Sequence, residues 1–243
     1  MKGEQHVIIS VFSVGLFLAP WIWSWDSTWT LLVAAGVVIG SLAPDADAPD
    51  AAILHRKGGK GVIRDVRSRM GVLLPGIGYV IRYLIYLPLS AILWILSRGR
   101  IVPHHRGLLH SVPGVLLMTL VLAGYCLLPV AWFDLGIEPL LLHLLCGFFL
   151  GNLLHLLEDA STRTGICWKY PFSRAKIRGT VNTGSRWEKR PEIFGAVLGG
   201  CALVAILGQQ VVDVQWGISC IASVSACIIL WMAFLTWTGV HAG

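Results

Sequence analysis

The feature that most constrains this chain is a series of apolar runs, each about as long as a bilayer is thick. A spanning helix needs roughly 20 mainly apolar residues. Six segments read as spans: 7–25, 28–43, 111–132, 138–157, 193–212 and 216–238. The second is short, but it is uncharged, and its Gly36 and Gly40 suit close helix packing. Of the 243 residues 56% are hydrophobic and only 13% charged, against about 25% charged in soluble domains. Together these exclude an ordinary cytosolic enzyme, a disordered chain and a disulfide-stapled secreted domain. The expected fold is all-α: a polytopic membrane helical bundle forming one membrane-embedded domain over residues 1–243. The six cysteines contain no CxxC pair, so they read as small apolar packing residues rather than a zinc ribbon or redox site. The first apolar run reaches Trp25 without a small-residue cleavage site, so it reads as a span and not as a cleavable signal.

One further stretch, 72–97, is apolar and long enough to span. It contains Pro75, Gly76, Gly78 and Pro88, with Arg82 inside it. Charge distribution decides how to read it. Lys and Arg occur at 2, six times in 56–69, at 98, 100 and 106, and eight times in 163–190, while the connections around Asp26, Asp134 and Asp213 contain none. If 72–97 enters and returns, as a re-entrant hairpin or an interfacial helix, every other Lys and Arg lies on one face. The positive-inside rule makes that face cytoplasmic, with both termini inside. The expectation is six spans plus one re-entrant or interfacial element, with loops 44–71, 98–110 and 158–192 on the cytoplasmic face. The net charge of +6 is read mainly as topological, and no DNA-binding motif is apparent, so no nucleic-acid partner is expected.

The same topology gathers residues that played no part in deriving it. His6 begins the first span, Asp45 and Asp47 follow the second, His104, His105 and His110 precede the third, and His155 and Asp159 end the fourth. His155 and Asp159 are four apart on a helix, so both side chains can grip one ion. His with carboxylate suits zinc, manganese or iron, and the absence of cysteine argues against a purely structural zinc. Each residue also has a plainer reading. The aspartates could end a helix, His6 could be interfacial, and His104 could be merely a neighbour of His105. His143, in mid-span, is expected to bond a neighbouring helix, while His55 and His241 are set aside. Ser111, before Val112-Pro113, reads as a helix N-cap.

At Leu42-Ala43-Pro44-Asp45-Ala46-Asp47, His105-Arg106-Gly107-Leu108-Leu109-His110-Ser111 and His155-Leu156-Leu157-Glu158-Asp159-Ala160-Ser161-Thr162-Arg163-Thr164-Gly165 the chain resembles a known family. It is the YdjM-type family of LexA-regulated inner-membrane metal-dependent hydrolases. Tyr170-Pro171-Phe172 and Thr183-Gly184-Ser185-Arg186-Trp187-Glu188 also look like it. The resemblance runs from His6 to about Glu188 and implies a polar set of His6, Asp45, Asp47, His105, His110, His155, Asp159 and Glu188. Leu109 departs from it, because the family usually has Thr there.

The resulting expectation is a metal-dependent hydrolase whose site faces the cytoplasm. Asp45, Asp47, His110, His155 and Asp159 are first-choice ligands, with His6 and His105 next, for one or two divalent ions, zinc or manganese first. Glu188 is a further ligand or the general base, and Arg106 pairs with developing phosphate charge. The basic loop 160–192 suits a phosphate-bearing membrane lipid as substrate; an acyl ester or amide of a lipid stays open. The alternative is a divalent metal transporter or metal-binding regulatory membrane protein, and a third reading is a purely structural polar cluster. The sequence assigns no oligomeric state.

Overall fold

The computed structural model describes residues 1–48, 73–100, 106–211 and 216–243. Its regular structure is almost all helix. In chain order the elements are α1 (Gly3–Leu18), α2 (Ser27–Gly40), α3 (Leu73–Val80), α4 (Leu87–Leu96), α5 (Val112–Trp132), α6 (Glu138–Ala160), α7 (Arg190–Val211) and α8 (Trp216–Trp237). Two-residue strands β1 (Ile177–Arg178) and β2 (His241–Ala242) pair antiparallel and tie the chain's last residues to the loop after α6. Six of the helical runs fall on the six expected spans. Ser111 caps α5 as expected, its hydroxyl accepting from the Gly114 N–H at 3.1 Å, and Asp26 does the same for α2 through Thr28.

The stretch 72–97 contains no hairpin. α3 passes through one π-helical segment, Ile81–Tyr86, directly into α4, as a continuous rod. By length and composition Pro75–Leu96 is a seventh helix able to cross a membrane. Pro88 does not break the rod, for a reason visible only in three dimensions. A proline frees the carbonyl four residues earlier. That carbonyl, on Leu84, accepts the Tyr125 hydroxyl of α5 at 3.2 Å. Arg82 is not left to lipid either. Its guanidinium donates to the Ala46 and Asp47 carbonyls, both at 2.9 Å, and so closes the turn that follows α2.

The tightest packing is between α2 and α6, where glycines on each helix meet backbone on the other. A Cβ on Gly36 would sit 2.1 Å from the Leu144 carbonyl oxygen, and one on Gly40 2.1 Å from that of Phe148. From the other side, Gly147 would meet Val33 at 2.1 Å and Gly151 would meet Val37 at 2.4 Å. The two backbones therefore touch, which brings the end of α2 against the last turns of α6. Gly195 and Gly199 of α7 face Ile8 and Phe12 of α1 in a looser version of the same contact. Around α1, α7 and α8 the core is Ile9, Leu16, Phe194, Leu198, Trp231 and Phe234. A second core of Leu42, Ala43, Ala46, Ile81, Ile85, Leu109, Met118 and Phe148 lies beneath the turn Pro44–Asp47.

Candidate metal centre

Four helix ends and one turn converge at one end of the bundle. Pro44, with its fixed φ, opens the single 3-10 turn Pro44–Asp47 that carries Asp45 and Asp47. His110 lies just ahead of the Ser111 cap, and His155, Glu158 and Asp159 share the last turns of α6. His6 comes from the first turn of α1. His6, His110, His155, Glu158 and Asp159 are essentially inaccessible, Asp47 is buried, and Asp45 remains 24% exposed.

Four atoms form a closed ring. His110 Nε2 is 3.4 Å from Asp45 Oδ1 and 3.6 Å from Asp159 Oδ2, and His155 Nε2 is 3.7 and 3.8 Å from the same two oxygens. The His155 distances are too long for hydrogen bonds, and its Nε2 is buried without a hydrogen-bond partner. Two ligand atoms that share a zinc ion at roughly 2.0–2.2 Å stand about 3–3.7 Å apart, close to each of these four distances. His6, Asp45 and His155 also offer ligand atoms within 4.8 Å of one another, as do His110, His155 and Asp159.

Of the other ring nitrogens, that of His155 is hydrogen-bonded, while His6 Nδ1 and the nearby Glu158 Oε2 have no hydrogen-bond partner among the described residues. His155 Nδ1–H donates to the Ser41 carbonyl at 2.7 Å, which leaves Nε2 as the bare nitrogen. His110 Nδ1 is 3.5 Å from Asp47 Oδ2 and His6 Nδ1 is 2.6 Å from Glu158 Oε2. Fixing one nitrogen on an acceptor so that the other faces the ion is how proteins orient metal-binding histidines. At His110 burial alone would lower the pKa, but hydrogen bonds to Asp45 and Asp47 and the charge of Asp159 outweigh it and push the value up to about 9.

Arg106 is the arginine or lysine side chain that reaches the cluster among the described residues. Its Nη2 lies 3.3 Å from Asp159, and its Nη1 is held by Thr162 and Thr164. Its backbone N–H donates to Asp47 Oδ2 at 3.1 Å. That bond comes from a residue at φ +62°, a conformation costing a non-glycine residue roughly 1–2 kcal/mol. The guanidinium keeps 22% exposure, so with Asp45 it marks where the cluster meets solvent.

Residues 1–239 match the YdjM inner membrane protein family. The chain belongs to that family. No curated protein and no solved structure matches it.

The remaining expected residues of this YdjM-family chain are placed as follows. His105, with its neighbour His104, lies outside the described residues, as do positions 56–69. Glu188 stands in the loop after α6, with both carboxylate oxygens engaged. Arg190 Nε and Nη2 donate to Oε1 and Oε2 at 2.8 and 2.6 Å, and the Asn182 N–H donates to Oε2 at 3.1 Å. The Arg190 hydrogen bonds hold its carboxyl down at about 2. Its described contacts fold the loop and none touches the His/Asp cluster. Leu109, at the family's Thr position, is fully buried in the apolar core under the Asp45–Asp47 turn.

Arg163, Lys169, Arg174, Lys176, Arg178 and Arg186 of the basic loop are exposed. They face outward, and the cations beside Asp159 are Arg106, at 3.3 Å, and the Met1 ammonium, at 3.6 Å. His143 differs from expectation. Its Nδ1 bonds the Pro139 carbonyl of its own helix at 2.6 Å, and its ring stacks on Trp29. Glu158 was overlooked as a site residue, although its spacing from His155 was a usable signal: residues three and four apart share a helix face, so Glu158 accompanies Asp159.

Proposed function

We propose that this protein is a membrane-embedded hydrolase with one divalent ion, zinc first and manganese second, held by Asp45, His110, His155 and Asp159. The observation that carries the reading is the ring of two imidazole nitrogens and two carboxylate oxygens at 3.4–3.8 Å. Buried carboxylates are costly unless they are paired with positive charge, and an ion would join Arg106 and the Met1 ammonium, which lie 3.3 and 3.6 Å from Asp159, in balancing this set. The sequence left one or two ions open. His155 offers only Nε2, because its Nδ1 is committed to Ser41, and both ligand groups require His155. One ion at a time satisfies that geometry.

Bound there, the ion would supply a water acidified to near neutral pH and a Lewis acid for a phosphoryl or carbonyl oxygen. The chain's own groups do the rest. Asp47 and Ser41 hold His110 and His155 in place. Arg106 binds an anionic oxygen of the substrate beside the ion, anchored by two threonines and Asp159. Asp45, the most exposed of the four ligands, accepts a hydrogen bond from the attacking water at its outer oxygen. An arginine beside a metal centre in a membrane protein suits a phosphate-bearing lipid headgroup, and a cytoplasmic site follows from the positive-inside rule. Transporter sites lie near the bilayer midplane, whereas this cluster is built from helix ends, which weighs against the transport alternative.

The test is elemental analysis of the detergent-purified chain beside a His155→Ala/Asp159→Ala double variant. One equivalent of metal in the wild type and none in the variant supports the reading, and a screen of lipid phosphoesters with that metal follows. A wild type still metal-free after reconstitution with zinc and manganese would sink it.

A further inference from the structure

The geometry points to Arg82 as a positioning residue for the centre: it fixes the turn Pro44–Asp47, and through that turn the ligand Asp45 and the Asp47 carboxylate beside His110. This rests on the metal-centre reading above and adds to it a residue from an element that supplies no ligand. Arg82 is the one charge in the apolar rod Leu73–Leu96. A charge in such a stretch is costly, so it persists where a specific partner holds it. Its described hydrogen bonds, both from Nη1, go to the Ala46 and Asp47 carbonyls at 2.9 Å. Arg82 stands in the π-helical segment Ile81–Tyr86, whose Ile81, Ile85 and Tyr86 are buried in one core with Leu42, Ala43 and Ala46. Such π-helical turns are rare and occur frequently at functional sites.

A helical turn leaves its last carbonyls without partners of its own. Here the Ala43 and Asp45 carbonyls accept the Ala46 and Ala48 N–H groups, each at 3.0 Å, which leaves the carbonyls of Ala46 and Asp47. Both residues are buried, where an unpaired carbonyl is costly, and an arginine suits the exposed carbonyls of a helix end. One nitrogen that bonds two successive carbonyls fixes both the place and the direction of the turn's end. The two aspartates on the turn meet His110 from both sides. Asp45 Oδ1 lies 3.4 Å from its Nε2, and Asp47 Oδ2 lies 3.5 Å from its Nδ1. A shift of the turn therefore moves one ligand and the neighbour of another together. The described bonds of Arg82 reach backbone alone, so its action on the centre runs through the turn.

The experiment measures zinc affinity of the full detergent-purified chain by competition with a chromogenic chelator. Arg82→Gln is compared in the wild-type background and in an Asp45→Ala/Asp47→Ala background. Losing a group that orients metal ligands typically costs about 10–100-fold in affinity. That loss is expected in Arg82→Gln and is expected to vanish once the turn carries no aspartate. A side chain that merely stabilised the bundle would lower affinity equally in both backgrounds. Unchanged affinity in Arg82→Gln, or the same loss in both backgrounds, overturns the proposal. Should Arg82→Gln not fold, Arg82→Lys keeps the charge but loses the planar fork and carries the same test.

A second readout needs no metal. In the metal-free chain, hydrogen exchange followed by mass spectrometry reports on the Ala46 and Ala48 N–H groups that the turn bonds internally. Exchange of the peptide that holds them should quicken about tenfold in Arg82→Gln, while peptides from α6 stay unchanged. Unchanged exchange at the turn also overturns the proposal. A wild type that takes up no zinc would instead refute the metal centre itself, and the exchange comparison would still decide whether Arg82 holds the turn.

Discussion

At the scale of single residues, the acid–base behaviour of His110 gives the centre its pH dependence. In the metal-free protein its pKa is pushed up to about 9 because Asp45 and Asp47 hold its proton against the cost of burial. An ion binding at Nε2 must displace that proton. Apparent metal affinity is therefore expected to rise about tenfold per pH unit below pH 9 and to level off above it, as checked by chelator competition between pH 6 and 9.5. The metal-free fold should respond in the opposite sense. A pKa raised from 6.5 contributes stability that is full below 6.5 and is lost as the pH rises through 9, which thermal unfolding of the stripped protein would show. Arg106 gives a separate prediction. Arg106→Lys keeps the charge but loses the planar fork that Asp159 and the two threonines hold. Metal stoichiometry should stay at one while kcat/KM for a lipid phosphoester falls about tenfold or more. The histidines and aspartates of the centre were legible because their chemistry is rare in apolar runs. Glu158 was not, because a glutamate at a helix end looks like ordinary solvated charge until the helix end proves buried.

At the scale of elements, the contact of α2 with α6 sets the geometry of the centre. Gly40 lies directly before Ser41, whose carbonyl holds His155, and any Cβ at Gly40 meets the Phe148 backbone at 2.1 Å. Gly40→Ala must therefore push the helices apart. Overpacking of this kind costs about 1–3 kcal/mol, and here it would also stretch the Ser41–His155 hydrogen bond. A lower unfolding temperature together with weaker metal binding is expected. Gly200→Ala, where a Cβ meets nothing within 4 Å, should change neither. The Gly36/Gly40 spacing was readable in advance, but its partners Gly147 and Gly151 became meaningful only once α6 was seen against α2. The continuity of α3 into α4 was readable only as one of two alternatives, an interfacial helix beside a hairpin. Prolines and glycines in 72–97 argue locally for a break, and the group that heals it, the Tyr125 hydroxyl, comes from another helix.

At the scale of the whole molecule, the question is which side of the membrane each connection faces, and one hydrogen bond constrains it. The Arg106 N–H meets Asp47 Oδ2 at 3.1 Å, so the chain between residues 47 and 106 begins and ends at the same end of the bundle. It therefore crosses the membrane an even number of times. If the rod Leu73–Leu96 crossed once, a second passage would have to run through 48–72 or 97–105. The nine residues of 97–105 are too few for a spanning helix, which needs roughly 20. The 48–72 stretch carries six Lys and Arg, and each would cost roughly 2.5–3.5 kcal/mol near a bilayer centre. The rod is therefore expected to lie along the membrane surface or to enter it without emerging. After the native cysteines are replaced, Leu73→Cys at the start of the rod, Arg100→Cys and Arg178→Cys should react with an impermeant maleimide from one side of the membrane, and Asp134→Cys from the other. Labelling of Leu73→Cys together with Asp134→Cys would mean that the rod crosses and that the 48–72 stretch crosses with it. The centre would then sit in a seven-helix bundle plus one further passage, and the start of the rod would face away from Arg98, Arg100 and the basic loop.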